Sequence, residues 1–320
     1  MQEVIRTELM IKYIKDTFEG MLAKKLNLVR VSAPLFVLAS SGLNDHLSGT
    51  ERVISFDASN MELEVVQSLA KWKRNALGRY EFSVNTGLYT DMNAIRRDEH
   101  LDNIHSIYVD QWDWEKVIAK EERTKETLFN TVKDIYSVVY KLGKNVEKKY
   151  GIVTNLPRSI TFISSNDLLA KYPNLNAKER ENAILREKKA VFIYQIGGKL
   201  TDGSIHDMRA ADYDDWDLNG DILVYNEVLD MAFELSSMGI RVSKESLLKQ
   251  LEEKNELYKL ENPYCKDILE EKLPYTIGGG IGQSRLCLFF MKKQHIGEVQ
   301  VSVWDDNNIN EANQKNIYLL

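Results

Sequence analysis

The sequence predicts an α+β fold, an antiparallel β-sheet flanked by helices. Three observations carry that expectation. Strand-like segments come in adjacent runs, "GLYTDMNAIRRDE" before "HSIYVDQWDWE" and "DILVYN" before "FELSSMGIRV". Helical patterns do not alternate regularly with them, as a doubly wound parallel sheet would require. The 320 residues contain only five prolines and no Gly/Ser-rich linker, so one continuous domain over 1–320 is expected.

The elements follow in order. Met10 to Leu26 has apolar residues at helical spacing. "LNLVRVSAPLF" alternates like a strand and meets Pro34, which ends it or sets it at an edge. Positions 50–66 read as paired strands. Glu122 to Lys149 is a long amphipathic helix with Leu128, Val132, Ile135, Val139, Leu142 and Val146 on one face. "SITFIS" and "AVFIYQIGG" are short strands on either side of a helical stretch rich in Lys and Glu. Ser243 to Leu260 is a helix with Ser243 as N-cap.

Composition narrows the function. A net charge of −6 gives no general nucleic-acid surface. No apolar stretch reaches the roughly 20 residues of a membrane span. The two cysteines, Cys265 and Cys287, have no CxxC partner and suit a reducing, cytoplasmic compartment. The five histidines show no HxxxH or HExxH spacing, so a zinc site is not expected.

Four stretches could carry chemistry. In "PYTIGGGIGQSRLCLFF" the GxGxxG pattern fails, because position 283 is Gln, and no P-loop follows. What remains is a glycine-rich strand leading into a helix near Gln283, with Arg285 in the first turn. Helix N-termini attract anions, and glycines would let a ligand lie against the backbone. A tight turn with a solvated arginine explains the stretch equally well. The run "TDGSIHDMRAADYDDWDLNGD" holds seven aspartates and one arginine. Its carboxylates suit magnesium carrying substrate phosphates, or a solvated loop. Asp221 begins the strand "DILVYN" in this reading, and Glu234 lies on the next; pairing would bring them together. In "QSLAKWKRN", Lys71, Lys73 and Arg74 crowd around Trp72, and by themselves read as a solvated basic helix face. In "YVDQWDWE", either a pocket is lined by acids and aromatics, or Trp112 and Trp114 take one strand face and the acids the other.

These segments, with "LNDHLSG", "QIGGKL" and "HDMRAADYDDW", resemble in order and spacing the ammonia-dependent asparagine synthetases of the A type, the aspartate–ammonia ligases. The resemblance runs over nearly the whole chain. It implies a fold like the catalytic core of class II aminoacyl-tRNA synthetases and a homodimer, with Met10–Leu26 and the strand ending at Pro34 at its interface. It implies that L-aspartate, ATP and ammonia give asparagine, AMP and pyrophosphate through a β-aspartyl-adenylate, with Mg2+ as cofactor.

Residue by residue, Arg96 resembles the arginine that holds the α-phosphate and reacting carboxylate. The general synthetase pattern Arg-x-Glu favours Arg97 instead, and Arg96 is taken. Glu99 resembles the acid that contacts the adenine amino group, and Arg285 the arginine along the distal phosphates. Asp221 and Glu234 resemble the magnesium pair. Ser68, Lys73, Gln111 and Asp113 resemble the aspartate pocket, which Asp214 and Ser236 join, and Gln111 is also taken as catalytic. Asp45 resembles the acid beside the incoming ammonia. The family's longer insertion after "DYDDW" is replaced here by "DLNGD", which implies a shortened loop over the site. No cysteine has a histidine close in sequence, so free ammonia is the expected nitrogen donor. The alternative is a ligase acting on tRNA, which would need an anticodon-binding domain or a basic tail; neither is read in this chain.

Overall fold

The computed structural model describes residues 2–48 and 51–320. Helix α1 (Gln2–Leu26) leads into strands β1 (Leu28–Arg30) and β2 (Phe36–Leu38), then β3 (Ile54–Ala58), β4 (Met61–Val65) and helix α2 (Ala70–Arg79). The hairpin β5 (Gly87–Ile95) and β6 (Tyr108–Val117) is followed by α3 (Lys125–Tyr150), β7 (Thr161–Ser164), α4 (Ser165–Lys171), α5 (Ala177–Lys188) and β8 (Ala190–Tyr194). The long hairpin β9 (Asp214–Asn226) and β10 (Met231–Arg241) precedes α6 (Lys244–Glu253) and α7 (Pro263–Leu269). Strand β11 (Thr276–Gly282), α8 (Gln283–Phe290) and α9 (Asp306–Gln314) complete the order.

Eight strands form one sheet in the order β1-β5-β6-β11-β10-β9-β8-β7, and β2-β4-β3 form a small second sheet. The central pairs of the large sheet are antiparallel, as expected, but its two edge pairs, β1–β5 and β7–β8, are parallel. A parallel pair needs a crossover, and α4 with α5 supply the one between β7 and β8. The sheet is therefore mixed at its edges.

One face of the sheet carries α1, α3 and α8. The stripe Ile14, Phe18 and Leu22 of α1 is fully buried with Leu128, Val132, Ile135 and Leu142 of α3, and Phe18 meets Trp112 at 5.0 Å between ring centroids. The Met10–Leu26 stripe is consumed by the chain's own core and leaves Ile5 and Leu9 exposed. Thr124 caps α3 by accepting from the Thr127 N–H, and Gly151, at φ 71°, closes it in the left-handed region. Ser243 caps α6 as expected, but that helix stops at Glu253, and a short 3-10 turn covers Leu257–Glu261. The expected strand over "LNLVRVSAPLF" breaks around Pro34 into β1 and β2, which enter different sheets.

The acidic run is not one loop. Its second half, from Asp214, is already β9, so Asp221 sits mid-strand instead of opening one. The "DLNGD" stretch makes no loop over the site; it continues the ladder, with Gly220 opposite Met238 and Asn219 opposite Gly239.

Candidate active site

On the sheet face opposite α1 and α3 lies a cleft of about 500 Å³. Its floor is built by strand alternation. Residues 111, 113 and 115 of β6 pair with Gly282, Gly280 and Gly278 of β11, and opposed residues of a ladder share a face. Gln111, Asp113 and Glu115 thus face this side, whereas Trp112 and Trp114 are fully buried in the core beneath. The glycines make room chiefly for these side chains. A Cβ on Gly278 would lie 2.0 Å from Glu115 Oε2, and one on Gly280 would lie 2.3 Å from Gln111 Oε1. Toward the outer end Gly280 and Gly282 line the cleft itself.

Beneath the cleft is a network of buried charges. Lys73, 1% exposed, donates to Asp113 Oδ1 at 2.6 Å and to the Gly279 carbonyl at 3.1 Å. Arg241 pairs with Glu115 at 2.7 Å and with Asp214. Burial alone would raise the Glu115 carboxyl, but Arg241 and Lys73 outweigh it and hold it below the usual range. Lys71 pairs with Asp212, and Arg74 donates to the carbonyls of Pro274 and Val242. These four cations are all buried, so the solvated basic face read from "QSLAKWKRN" is overturned. Helix α2 turns that face onto the sheet, where carboxylates and carbonyls await it. Glu115, Arg241 and the Lys71–Asp212 pair were missed in the sequence. The period-2 spacing 111, 113, 115 could have found Glu115; Arg241 in "GIRV" gave no such signal.

Asp45 is also fully buried. Its Oδ2 accepts the Ala70 N–H at 2.9 Å, and Oδ1 has no hydrogen-bond partner among the described residues. Burial pushes its carboxyl up against the pull of Lys71 and Ser68. Burial also opposes the Lys71 charge, but Asp212 and Asp45 hold its pKa above the ordinary lysine value.

The cleft wall differs. Along β5 the positions opposite Asp113 and Gln111 are Thr90 and Met92, and the same parity continues to Arg96. Arg97 alternates to the exposed side, although it too touches the rim. Arg96 Nη1 is 3.8 Å from Glu99 Oε2, and its side chain is 25% exposed. Arg285 donates to the Glu234 carbonyl at 3.3 Å and lies 3.8 Å from its carboxylate. The anion at the α8 N-terminus is Asp110, whose Oδ1 accepts the Ser284 N–H at 3.0 Å. Asp110 is held in turn by Lys15 at 2.8 Å and by Gln300 at 3.2 Å.

Asp221 and Glu234 share this face, as Asp221 lies opposite Ser237 and Glu234 opposite Leu223. The irregularity between Glu234 and Ser236 shifts the alternation of β10. Ser237, opposite Gly280, consequently lines the cleft, whereas Ser236 lies opposite Ile281 and Ile222 on the core face. Asp221 forms an ion pair with Arg209, the single arginine of the acidic run, and its Oδ1 has no partner among the described residues. Burial raises its carboxyl, Arg209 opposes that, and Glu234 and Asp207 add to it, leaving a value of about 6. A hard carboxylate oxygen, buried and unbonded beside a second carboxylate, fits a divalent cation.

A family model described as "Aspartate-ammonia ligase" matches residues 5–316. A curated relative of that description from Clostridium perfringens (strain 13 / Type A) is 59% identical, over 98% of this chain and 95% of its own. Another from Fusobacterium nucleatum is 55% identical, over 99% and 98%. Among solved structures, asparaginyl-tRNA synthetase from Entamoeba histolytica in complex with asparaginyl-adenylate is similar at TM-score 0.67 and 13% identity, over 93% of this chain and 66% of that one. The Pyrococcus horikoshii asparaginyl-tRNA synthetase complexed with asparaginyl-adenylate gives 0.64 and 15%, over 92% and 68%. At these identities the likeness to the synthetases is one of fold, that of their class II catalytic core.

Proposed function

Because the chain belongs to the aspartate–ammonia ligase family, we propose that it makes L-asparagine from L-aspartate, ammonia and ATP through a β-aspartyl-adenylate, releasing AMP and pyrophosphate. The observation that carries this reading is the placing of two partly exposed arginines, Arg96 and Arg285, over a floor of fixed carboxylates and one buried lysine, Lys73.

In the first step a β-carboxylate oxygen of aspartate attacks the α-phosphorus of ATP, and pyrophosphate leaves. Arg96 holds the α-phosphate and the attacking carboxylate, and Arg285 the distal phosphates, with planar forks suited to those oxygens. Glu99, close to Arg96, takes the adenine amino group. Lys73 takes the α-carboxylate of aspartate, and Asp113 its ammonium group. Gln111 sits beside them and orients the reacting carboxyl; Ser68 and Asp214 complete the pocket. For the serine of β10, alternation favours Ser237 over Ser236. Mg2+ would be held by Asp221 and Glu234 and would neutralise phosphate charge.

In the second step ammonia nitrogen attacks the β-carbonyl carbon and gives up one proton, and AMP leaves with the bridging oxygen that came from the β-carboxylate. The attacking species is neutral NH3, so ammonium must lose a proton first. Asp45, with its raised carboxyl and unbonded Oδ1, is suited to receive it. Burial pushes both cysteine thiols up to about 12, so neither is a ready thiolate for glutamine hydrolysis, which supports free ammonia as donor. A cytoplasmic location fits these buried free thiols; no helix among the described residues is long and apolar enough to cross a membrane.

The test is aspartate-dependent ATP–pyrophosphate exchange beside asparagine synthesis from ammonium. Asp45→Asn should reduce synthesis about a hundredfold more than exchange, the low end for a lost general base, which is about 10²–10⁴. Equal loss of both removes Asp45 from the ammonia step, and synthesis driven by glutamine in ammonia-free buffer overturns the donor. Assembly as a homodimer is part of the reading. The exposed apolar residues Val29, Leu35, Phe36, Leu38, Phe56 and Met61 around the small sheet support it. Light scattering should give twice 36.9 kDa at micromolar concentration, and monomer alone would contradict it.

A further inference from the structure

Arg209 has no role in the scheme above, yet it is the cation nearest the acid pair. Its side chain is 14% exposed and is held by two carboxylates, with Nη1 also donating to the Met208 carbonyl at 3.2 Å. Nη1 donates to Asp207 Oδ2 at 2.8 Å, and Nη2 forms the ion pair with Asp221 Oδ2. Asp207 is the more exposed partner, at 38% against 9% for Asp221. The other charged groups around the pair are Glu234, Lys178, which faces Asp207, and Arg285, 3.8 Å from Glu234.

We propose that Arg209 is a built-in cation that occupies Asp221 and yields it to the divalent ion, so that Arg209 sets the metal affinity of the site. The inference rests on the metal reading of Asp221 and Glu234. A guanidinium on one Asp221 oxygen and a divalent ion on the other repel each other within a few ångströms in a half-buried wall. Leaving Asp221 does not strip Arg209 of a counter-charge, because Asp207 already holds its other nitrogen. Asp207 thus offers a refuge nearer to solvent, and the exchange swaps one ion pair for a metal–carboxylate bond without leaving a bare buried charge. An arginine here keeps three carboxylates compatible with folding before the metal arrives, and lowers metal affinity as the consequence.

The test measures Mn2+ binding to the full chain by electron paramagnetic resonance, without nucleotide, so that activity is not the readout. Arg209→Met should bind Mn2+ about tenfold more tightly than the native chain, the scale of an ordinary coupling between two ligands. Structural damage would not tighten a metal site. Asp207→Asn, at a partly exposed position, removes the refuge and should weaken Mn2+ binding severalfold; it serves alone if Arg209→Met does not fold. Unchanged or weaker binding in folded Arg209→Met, or unchanged binding in Asp207→Asn, overturns the proposal. Glu234→Gln separates the two levels. If it weakens Mn2+ binding about tenfold or more while Arg209→Met changes nothing, the metal site stands and the competing arginine falls. If Glu234→Gln leaves binding unchanged, the metal reading falls and the proposal with it.

Discussion

The cations beneath the cleft and the cations on its wall are built on opposite terms. Lys71, Lys73, Arg74 and Arg241 are at most 2% exposed, and each is matched by a carboxylate or a carbonyl at hydrogen-bonding distance. Arg96 and Arg285 are 25% and 21% exposed, and their nearest carboxylates lie at 3.8 Å, beyond a hydrogen bond. A buried ion can persist only if fully paired, so the floor is fixed by folding itself. A wall arginine keeps donors free for an incoming anion and contributes little to stability. The difference teaches that position in the sheet, more than residue type, separates the charges already paired by folding from those that keep donors to spare.

The largest expected effect breaks the floor. Lys73→Met leaves Asp113 buried and unpaired, and should cost about 3–5 kcal/mol of stability, read from urea unfolding. A loss below about 1 kcal/mol, the scale of exposed pairs, would mean that water reaches the floor and that the contrast is false.

The second effect belongs to the wall. Arg285→Ala and Arg96→Ala should each lower turnover roughly a hundredfold while leaving the urea midpoint in place. Lysine should rescue poorly at both positions, because a point charge replaces a fork. Arg97→Ala, at an exposed position off the strand's cleft face, should stay within about twofold. The reverse order between Arg96 and Arg97 would reassign the loop.

The smallest effect concerns the acids between the two regions. Glu234→Gln should raise the magnesium requirement roughly tenfold, the low end for metal-site substitutions, with folding preserved. Because the Asp221 carboxyl lies at about 6, it is charged at pH 7 and becomes protonated as pH falls through that value. The requirement for magnesium should therefore rise on going from pH 7 to pH 5.5. A flat profile with an unchanged Glu234→Gln variant would make both carboxylates structural.

Much of the architecture was legible along the chain because hydrophobic period is a local property. The α3 stripe, the β5–β6 hairpin, the Ser243 cap and the strand-to-helix passage at Gln283 all follow from spacing of a few residues. The family was legible from the order of its segments. The glycine row was legible as a row, but not its purpose, since Gly278 makes room for Glu115, 163 positions away in the chain. The basic segment of α2 misread itself as solvated, because its partners Asp113, Asp212, Pro274 and Val242 come from distant segments.

By itself, then, the sequence determined which segments become helices and strands and which faces are apolar, because these depend on neighbours one to four residues apart, and it determined the family through the order of those segments. Only the tertiary structure decided the pairing of charges. It buried Lys73 and left Arg285 on the wall, turned Ser237 instead of Ser236 to the cleft through one irregularity in β10, and set Arg209 on Asp221. The physical reason is that burial and Coulomb pairing act through space. The cost of a charge is fixed by what the other strands bring to within a few ångströms, and no spacing along the chain encodes that distance.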